Sequence, residues 1–348
     1  MSKGKIAVAM SGGVDSTVTA ALLQEEGYEV RGIFMSLAQP NILRQVARVR
    51  AVAAKIGVKV DVVDLHEEFS AKVLDYFRAS YCAGLTPNPC VICNRHVKFG
   101  LLLQHALASG NELLATGHYV RVDAGDDGTY HLRKGLDPTK DQSYFLCLLD
   151  QEQLSRVRFP LGKRRKDEVY ASAGKLGLEF TRSEESQDVC FLQETNVGDF
   201  IEAGEVVAVP GKVVTVDGKE VGEHSGIHRF TVGQRRGLGI PDATPYYVVA
   251  LDVKTNQVVV GRKADLFSGQ VKVSQMNWIS GTAPDLPAGY EVRIRYRHQA
   301  VPAEIIPDGP NMVIHFNEPQ RAVTPGQFAV LYDGDEVVGG GVIRRLDE

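Results

Sequence analysis

The sequence predicts an α/β chain: a parallel sheet covered by helices, then a small central domain, then a C-terminal β-barrel. Three observations lead there. Short apolar runs alternate with helical periodicity through the first half of the chain, and a glycine-rich loop joins the first strand to the first helix. After about residue 200 the pattern changes to short alternating runs separated by turn signals. Alternation of the first kind builds parallel sheets that bind ligands at the C-terminal ends of their strands.

Lys5 to Met10 reads as the first strand, running into Ser11-Gly12-Gly13. Thr17 to Glu26 reads as a helix with Val18, Ala21 and Leu22 on one face and Gly27 at its end. Tyr28 to Met35 is the second strand, Asn41 to Ile56 a helix stopped by Gly57, and Val58 to Val63 the third strand. Val97 to Ala108 is helical, Glu112 to Thr116 a strand leading into Gly117-His118-Tyr119, and Lys166 to Leu176 a further helix. Beyond residue 200, Asp217-Gly218, Thr255-Asn256 and Asp333-Gly334 each sit between strand-like segments, as hairpin turns do. In Glu291 to Arg297, Val292, Ile294 and Tyr296 alternate with Arg293, Arg295 and Arg297, a strand with one apolar and one basic face. The domain limits that follow are 1–198, 199–268 and 269–348.

The 348 residues are 44% hydrophobic and 24% charged, which supplies apolar material for more than one core. No run approaches the roughly 18 apolar residues that span a bilayer, and the N-terminus enters a strand without a cleavage region. A soluble, cytoplasmic protein with no membrane partner is expected. The net charge of -4 excludes a globally basic nucleic-acid binder, so any phosphate-binding surface must be local. The five cysteines argue, in that compartment, for thiol chemistry, metal ligation or packing rather than a disulfide framework.

Ser11-Gly12-Gly13-Val14-Asp15-Ser16 has the makings of an anion nest: glycines for the tight turn, successive N–H groups, a helix N-terminus and serine hydroxyls. It lacks the Gly-Lys-Ser/Thr ending of a Walker A loop. The hexapeptide resembles the pyrophosphatase loop of the ATP-pyrophosphatase family. The resemblance implies adenylation of a substrate oxygen, with Asp15 helping to hold Mg²⁺.

Thr86-Pro87-Asn88-Pro89-Cys90-Val91-Ile92-Cys93-Asn94 is the second distinctive stretch. Cys93 falls just before the helix expected from Val97, where the dipole would favour a thiolate. Cys190 follows in Ser186-Gln187-Asp188-Val189-Cys190-Phe191. With ATGHYVR (115–121), GLDPTKDQSYFL (135–146), GEHSGIH (222–228), TVGQRRGLGI (231–240), RYR (295–297) and TPGQ (324–327), the chain resembles the tRNA-specific 2-thiouridylase (MnmA) family along nearly its whole length.

That resemblance implies a tRNA-uridine 2-sulfurtransferase on an ATP-pyrophosphatase-type domain. ATP would adenylate the C2 oxygen of a tRNA wobble uridine. A Cys190 persulfide, loaded by a sulfur-relay protein or a cysteine desulfurase, would then supply sulfur, with Cys93 as partner thiol. Ala9, Met10, Ser11, Gly12, Gly13, Val14, Asp15, Ser16, Met35 and Gly117 match the nucleotide-contacting positions. Asn88, Pro89 and Cys90 match the segment facing the target base. His118, Lys140, Asp141, Gln142, Arg295, Tyr296 and Gln327 match tRNA-contacting positions. The charged members have a second reading as solvated surface, His118 as a core histidine, and the Lys163-Arg164-Arg165-Lys166 run as ordinary surface.

The chain departs from the family pattern in two places. The segment between Met35 and Ala51 is short, and Cys90 stands where the family commonly has aspartate. The second change creates a Cys90/Cys93/Cys190 set that could ligate a [4Fe–4S] cluster, with sulfide on an open iron as the alternative sulfur source. Zinc, which wants four protein ligands in a structural site, lacks a fourth. An amide-forming ATP-pyrophosphatase would share the loop but not need the Cys93/Cys190 pair, and a non-enzymatic RNA-binding module would release no pyrophosphate. Cys82 and Cys147 are assigned to packing.

Overall fold

The computed structural model describes residues 3–38, 41–182, 189–192, 195–204 and 206–346. Strands β1 (Lys5–Ala9), β2 (Glu29–Ser36), β3 (Val60–Asp64) and β4 (Leu113–Ala115), with β7 (Val157–Arg158), form a parallel sheet ordered β3-β2-β1-β4-β7. The chain winds outward from β1 to β3 and then returns to place β4 on the other side of β1. The crevice above β1 and β4 is therefore the topological switch point, where such sheets bind ligands.

Helix α1 (Val14–Glu25) starts three residues before the periodicity predicts, because Val14, Asp15 and Ser16 form its first turn behind the N-cap Gly13. Its blurred periodicity has a cause. It is covered on two sides: Ala20 and Leu23 pack on the sheet, while Val14, Val18 and Leu22 meet Val169 and Ala173 of another helix. Helix α2 (Ile42–Lys55) packs Val49 and Ala53 on the sheet. Helices α3 (His66–Phe69) and α4 (Asp75–Cys82) are joined by a π-helical turn into one rod.

The cysteine-bearing segment corrects the sequence reading. Helix α5 (Pro89–Ile92), a π-helical stretch Cys93–Leu101 and α6 (Leu102–Ala108) run on without a break. The rod begins at Pro89, not Val97. Asn88 is its N-cap, accepting the Val91 N–H at 3.3 Å, and Pro89 occupies the first turn, where a missing N–H costs nothing. Short helices α7 (Gln151–Ser155), α8 (Lys166–Lys175) and α9 (Val197–Glu202) complete the helical set named here.

A hairpin of β5 (Val120–Ala124) and β6 (Tyr130–Lys134) leaves the first domain and pairs with the C-terminal sheet. The central domain is a four-stranded sheet ordered β10-β11-β8-β9, from β8 (Gly211–Thr215), β9 (Glu220–His224), β10 (Tyr247–Asp252) and β11 (Gln257–Gly261). The C-terminal strands are β12 (Phe267–Trp278), β13 (Ala288–Arg293), β14 (Val301–Asp308), β15 (Asn311–Arg321), β16 (Phe328–Asp333) and β17 (Glu336–Arg344). Their order is β12-β15-β14-β13-β16-β17, and a β12–β17 pairing closes them into a six-stranded antiparallel barrel.

The three predicted hairpin turns are present, with Gly218, Asn256 and Gly334 at positive φ of 83°, 52° and 58°. The predicted strand Glu291–Arg297 is cut short: β13 ends at Arg293, and Arg295, Tyr296 and Arg297 lie in a bend and turn. Ile294 is buried at the end of the barrel core, and its burial turns the chain there. Among the described residues no helix is long and apolar enough to cross a membrane.

Candidate active site

The nucleotide-loop residues converge. Ala9 to Ser16 lie at the C-terminal end of β1, Met35 near that of β2, and Gly117 two residues past β4. The loop is closed by its own side chains. The Ser11 N–H donates to Ser16 Oγ at 3.2 Å, Ser16 Oγ and Thr17 Oγ1 donate to the Gly13 carbonyl at 3.2 and 2.9 Å, and the Gly13 N–H reaches Ser11 Oγ at 3.4 Å. Gly12 needs to be glycine: its φ is +77°, and a Cβ would lie 3.3 Å from the Val49 backbone. At Gly117 a Cβ would meet Asp15 at 2.9 Å, so the two loops touch backbone to backbone.

Asp15 is engaged within the protein. Lys166 Nζ donates to its two carboxylate oxygens at 2.8 and 2.7 Å, and Tyr119 Oη donates to one of them at 2.7 Å. Lys166 is buried and also lies over the rings of Tyr119 and Tyr170. It belongs to the basic run that the sequence left open between solvated surface and, less favoured, phosphate binding; burial against Asp15 gives this one member neither role. A carboxylate so engaged is a poor fit for Mg²⁺. Separately, among the described residues no three His, Cys, Asp or Glu side chains gather closely enough to hold a metal ion by themselves. No step of the chemistry is assigned to Mg²⁺.

Cys90 lies in the first turn of the cysteine rod and Cys93 one turn further in, both half-buried, and Cys190 is exposed nearby. The three thiols act electrostatically on one another, and the Lys98 ammonium acts on all three. Burial dominates: it pushes the Cys93 thiol up to about 12 and the Cys190 thiol up to about 11, with Lys98 pulling both the other way. This overturns the expectation of a dipole-stabilised Cys93 thiolate, because Cys93 is inside the rod rather than at its start. Lys98 was missed by the sequence reading. In an α-helix the residue five positions on points elsewhere, but the π-helical stretch bonds residues five apart, as Leu102 N–H does to Val97 O, and so brings Lys98 to the Cys93 face.

Cys190 is held by its neighbour. The Phe191 ring stacks edge-on against Phe77 at 5.2 Å and packs with Phe200 at 5.0 Å and Phe69 at 6.0 Å. Ser186, Gln187 and Asp188 of the same motif lie outside the described residues. Cys147 is buried in the core and Cys82 is half-buried against it, in line with packing roles.

The positions matched to tRNA contact divide. His118 is half-buried between Phe99 and Phe159, with Thr116 Oγ1 at 2.6 Å from Nδ1, and burial holds its pKa well below the usual imidazole value. Asp141 is buried, accepting from Gly135, Ser143 and Arg293, so the carboxylate and the first arginine of the basic stripe are paired at 2.8 Å, while Arg293 Nε stays buried without a hydrogen-bond partner among the described residues. The Gln142 side chain accepts the Tyr119 N–H at 3.0 Å, and Gln327 donates to backbone carbonyls of the Thr86-Pro87 loop. Pro89 is buried. Lys140, Arg295 and Tyr296 remain partly open, with Arg297 fully exposed beside them. Tyr296 stacks on Phe145 at 4.3 Å, and the Phe145 carbonyl accepts from Asn94, the neighbour of Cys93, at 3.1 Å. Tyr296 and Phe145 thus contact, through buried Asn94, the segment that carries Cys93.

Comparison with known proteins agrees with this architecture. Residues 4–194 match the tRNA methyl transferase HUP domain family, 198–262 the tRNA methyl transferase PRC-barrel domain and 268–343 the aminomethyltransferase beta-barrel domain. The tRNA-specific 2-thiouridylase MnmA of Desulfotalea psychrophila is 48% identical over 345 residues, covering 99% of this chain and 100% of its own. The protein of the same name from Desulfosudis oleivorans is 46% identical, covering 97% and 94%. That from Synechococcus sp. (strain JA-3-3Ab) is 42% identical, covering 99% and 95%. Matched domain by domain and along nearly its whole length, the chain belongs to the tRNA-specific 2-thiouridylase (MnmA) family.

Proposed function

We propose that the chain is a tRNA-uridine 2-sulfurtransferase that uses ATP to activate the C2 oxygen and a cysteine persulfide to replace it. One observation carries this reading: the cysteine rod packs beside the nucleotide loop, with Phe99 of the rod 5.7 Å from His118, whose neighbour Gly117 touches Asp15. Lys98 acts on Cys90, Cys93 and Cys190 and also on His118. An amide-forming enzyme has no use for that arrangement.

In this mechanism the loop N–H groups and the α1 N-terminus bind the ATP phosphates, and the uridine C2 oxygen attacks the α-phosphorus, releasing pyrophosphate. The terminal sulfur of a Cys190 persulfide attacks C2 and expels AMP. Cys93 then attacks the Cys190 sulfur, the bond to the transferred sulfur breaks, and 2-thiouridine leaves with a Cys93–Cys190 disulfide behind. An external thiol reduces that disulfide before the next turnover. The exposure of Cys190 suits loading by a sulfur-relay protein or a cysteine desulfurase in the cytoplasm. Lys140, Arg295, Tyr296 and Arg297 form the surface offered to the tRNA, and the base is swung out to reach the thiols.

A second reading has one observation in its favour, the shared environment of Cys90, Cys93 and Cys190. Those three would be the ligands of a [4Fe–4S] cluster, which when bound would supply an open iron for sulfide, but as placed here they do not gather closely enough to hold a metal ion. Iron and acid-labile sulfide per chain after anaerobic purification, with Cys90→Ala alongside, separate the two: about four irons lost in the variant favours the cluster. For the main reading, the test is pyrophosphate release from ATP with and without tRNA. Release that depends on tRNA supports it, and release with an amine acceptor instead removes it.

A further inference from the structure

We propose that Gln327 is a positioning residue through which the β-barrel sets the placement of the cysteine-bearing rod. The proposal rests on the reading of Cys93 as a reacting thiol. The Gln327 carboxamide donates to the Thr86 carbonyl at 2.9 Å and to the Pro87 carbonyl at 3.3 Å. Both of its hydrogens are therefore spent on the loop that leads into Asn88, the N-cap of the rod carrying Cys90 and Cys93.

The loop depends on this outside help. Pro87 and Pro89 have no N–H to give, so its carbonyls must find donors elsewhere. The barrel answers at each step. The Thr86 N–H donates to the Pro325 carbonyl at 2.8 Å, and Arg345 reaches the Ala83 and Gly84 carbonyls at 3.4 and 3.5 Å. Gly326, at φ +92°, lets the two loops meet: a Cβ there would fall 2.9 Å from the Thr86 nitrogen. The barrel side is itself fixed, since the Gly326 N–H donates to Ile343 and the Ile343 N–H to Gln327, at 2.9 and 2.8 Å. One face of the fold thus couples the barrel directly to the start of the thiol helix.

A side chain so employed acts on the chemistry and not on RNA affinity. Gln327→Met keeps the length and removes both donors; Gln327→Glu keeps the shape and turns an oxygen toward the carbonyls. Three quantities are measured on the full chain: tRNA affinity at fixed salt, the single-turnover thiolation rate at saturating tRNA, and hydrogen exchange of the amides of residues 85–94. In both variants tRNA affinity stays within about twofold, the saturated rate falls about tenfold, and exchange in the loop and first rod turns quickens about fivefold. Weaker tRNA binding with an unchanged saturated rate would make Gln327 an RNA contact and overturn the proposal. Unchanged exchange, or faster exchange with an unchanged rate, would overturn it too. Exchange reads the clamp even in a protein that transfers no sulfur, so failure of the wild type to thiolate tRNA is a separate result.

Discussion

Lys166, from the first turn of α8, places its ammonium 2.7 and 2.8 Å from the two carboxylate oxygens of Asp15 in the nucleotide loop, 151 residues away. Lysine is rarely this buried without a partner, and here the partner is the only acidic side chain of the loop. The pair joins the helix layer on one side of the sheet to the glycine-rich turn proposed to bind ATP.

Lys166→Met leaves that carboxylate without its counter-charge. Because Asp15 keeps about a third of its side chain in solvent, the loss is discounted to about 1–3 kcal/mol. Urea unfolding gives the value, and a cycle with Asp15→Asn shows coupling between the two changes. ATP binding weakens in Lys166→Met along with stability.

Phe191→Ala removes the ring that seats the Cys190 segment among Phe69, Phe77 and Phe200. Loss of a buried phenyl ring costs about 3 kcal/mol when the site cannot collapse. Transfer from Cys190 slows, while ATP affinity, set by the Ser11-to-Ser16 loop, is unchanged. Equal losses in both would show that Phe191 serves only global stability.

His118 gives a pH dependence with a defined sign. Burial, with Lys98 adding to it, holds its folded pKa well below the 6.5 of a free imidazole. The unfolded chain therefore binds the extra proton first: the contribution is fully present above about pH 6.5 and is lost as pH falls toward the folded pKa. Stability declines below pH 6.5 by up to about 1.4 kcal/mol per pH unit from this group. His118→Gln flattens that slope in chemical denaturation between pH 5 and pH 7, by about the share one proton carries. His96, His224 and His298 are depressed as well, so a smaller slope persists.

The thiols give an order of reactivity. Cys190 is exposed but held up to about 11, so it alkylates first and more slowly than a free thiol at pH 8; Cys93, at about 12 and half-buried, follows. Cys147, raised further and fully buried, is last. Mass spectrometry of iodoacetamide-treated protein reads the order, and early labelling of Cys147 would contradict this packing.

What was legible in the sequence was local. The loop, the strand ends around it and the three hairpin turns are fixed by glycine chemistry and by periods of two and 3.6 residues. What was hidden depends on contacts far apart in sequence or on an irregular helix. Lys98 meets the Cys93 face only because the rod takes a π-helical register, which no α-helical pattern suggests. Arg293 reads in the sequence as part of a basic strand face, and only the folded chain shows its partner, Asp141, 152 residues earlier. Gln327 matched an RNA-contacting position, yet its donors are used 241 residues back, at Thr86. The β5–β6 hairpin, unread in the sequence, docks on the barrel through Arg133, which reaches Asp335 at 2.9 Å and Glu336 at 3.0 Å.

The central claim is sulfur transfer to a tRNA uridine through Cys190 and Cys93, and nucleoside mass spectrometry tests it most directly. Purified protein is given unmodified tRNA, ATP and a persulfide donor, and the digested RNA is searched for 2-thiouridine, with Cys190→Ser and Cys93→Ser alongside. The account predicts 2-thiouridine that requires ATP, is absent with Cys190→Ser and, with Cys93→Ser, is not released in the first turnover but stays joined to Cys190 through a disulfide. Full formation of 2-thiouridine by the Cys190→Ser protein would contradict it.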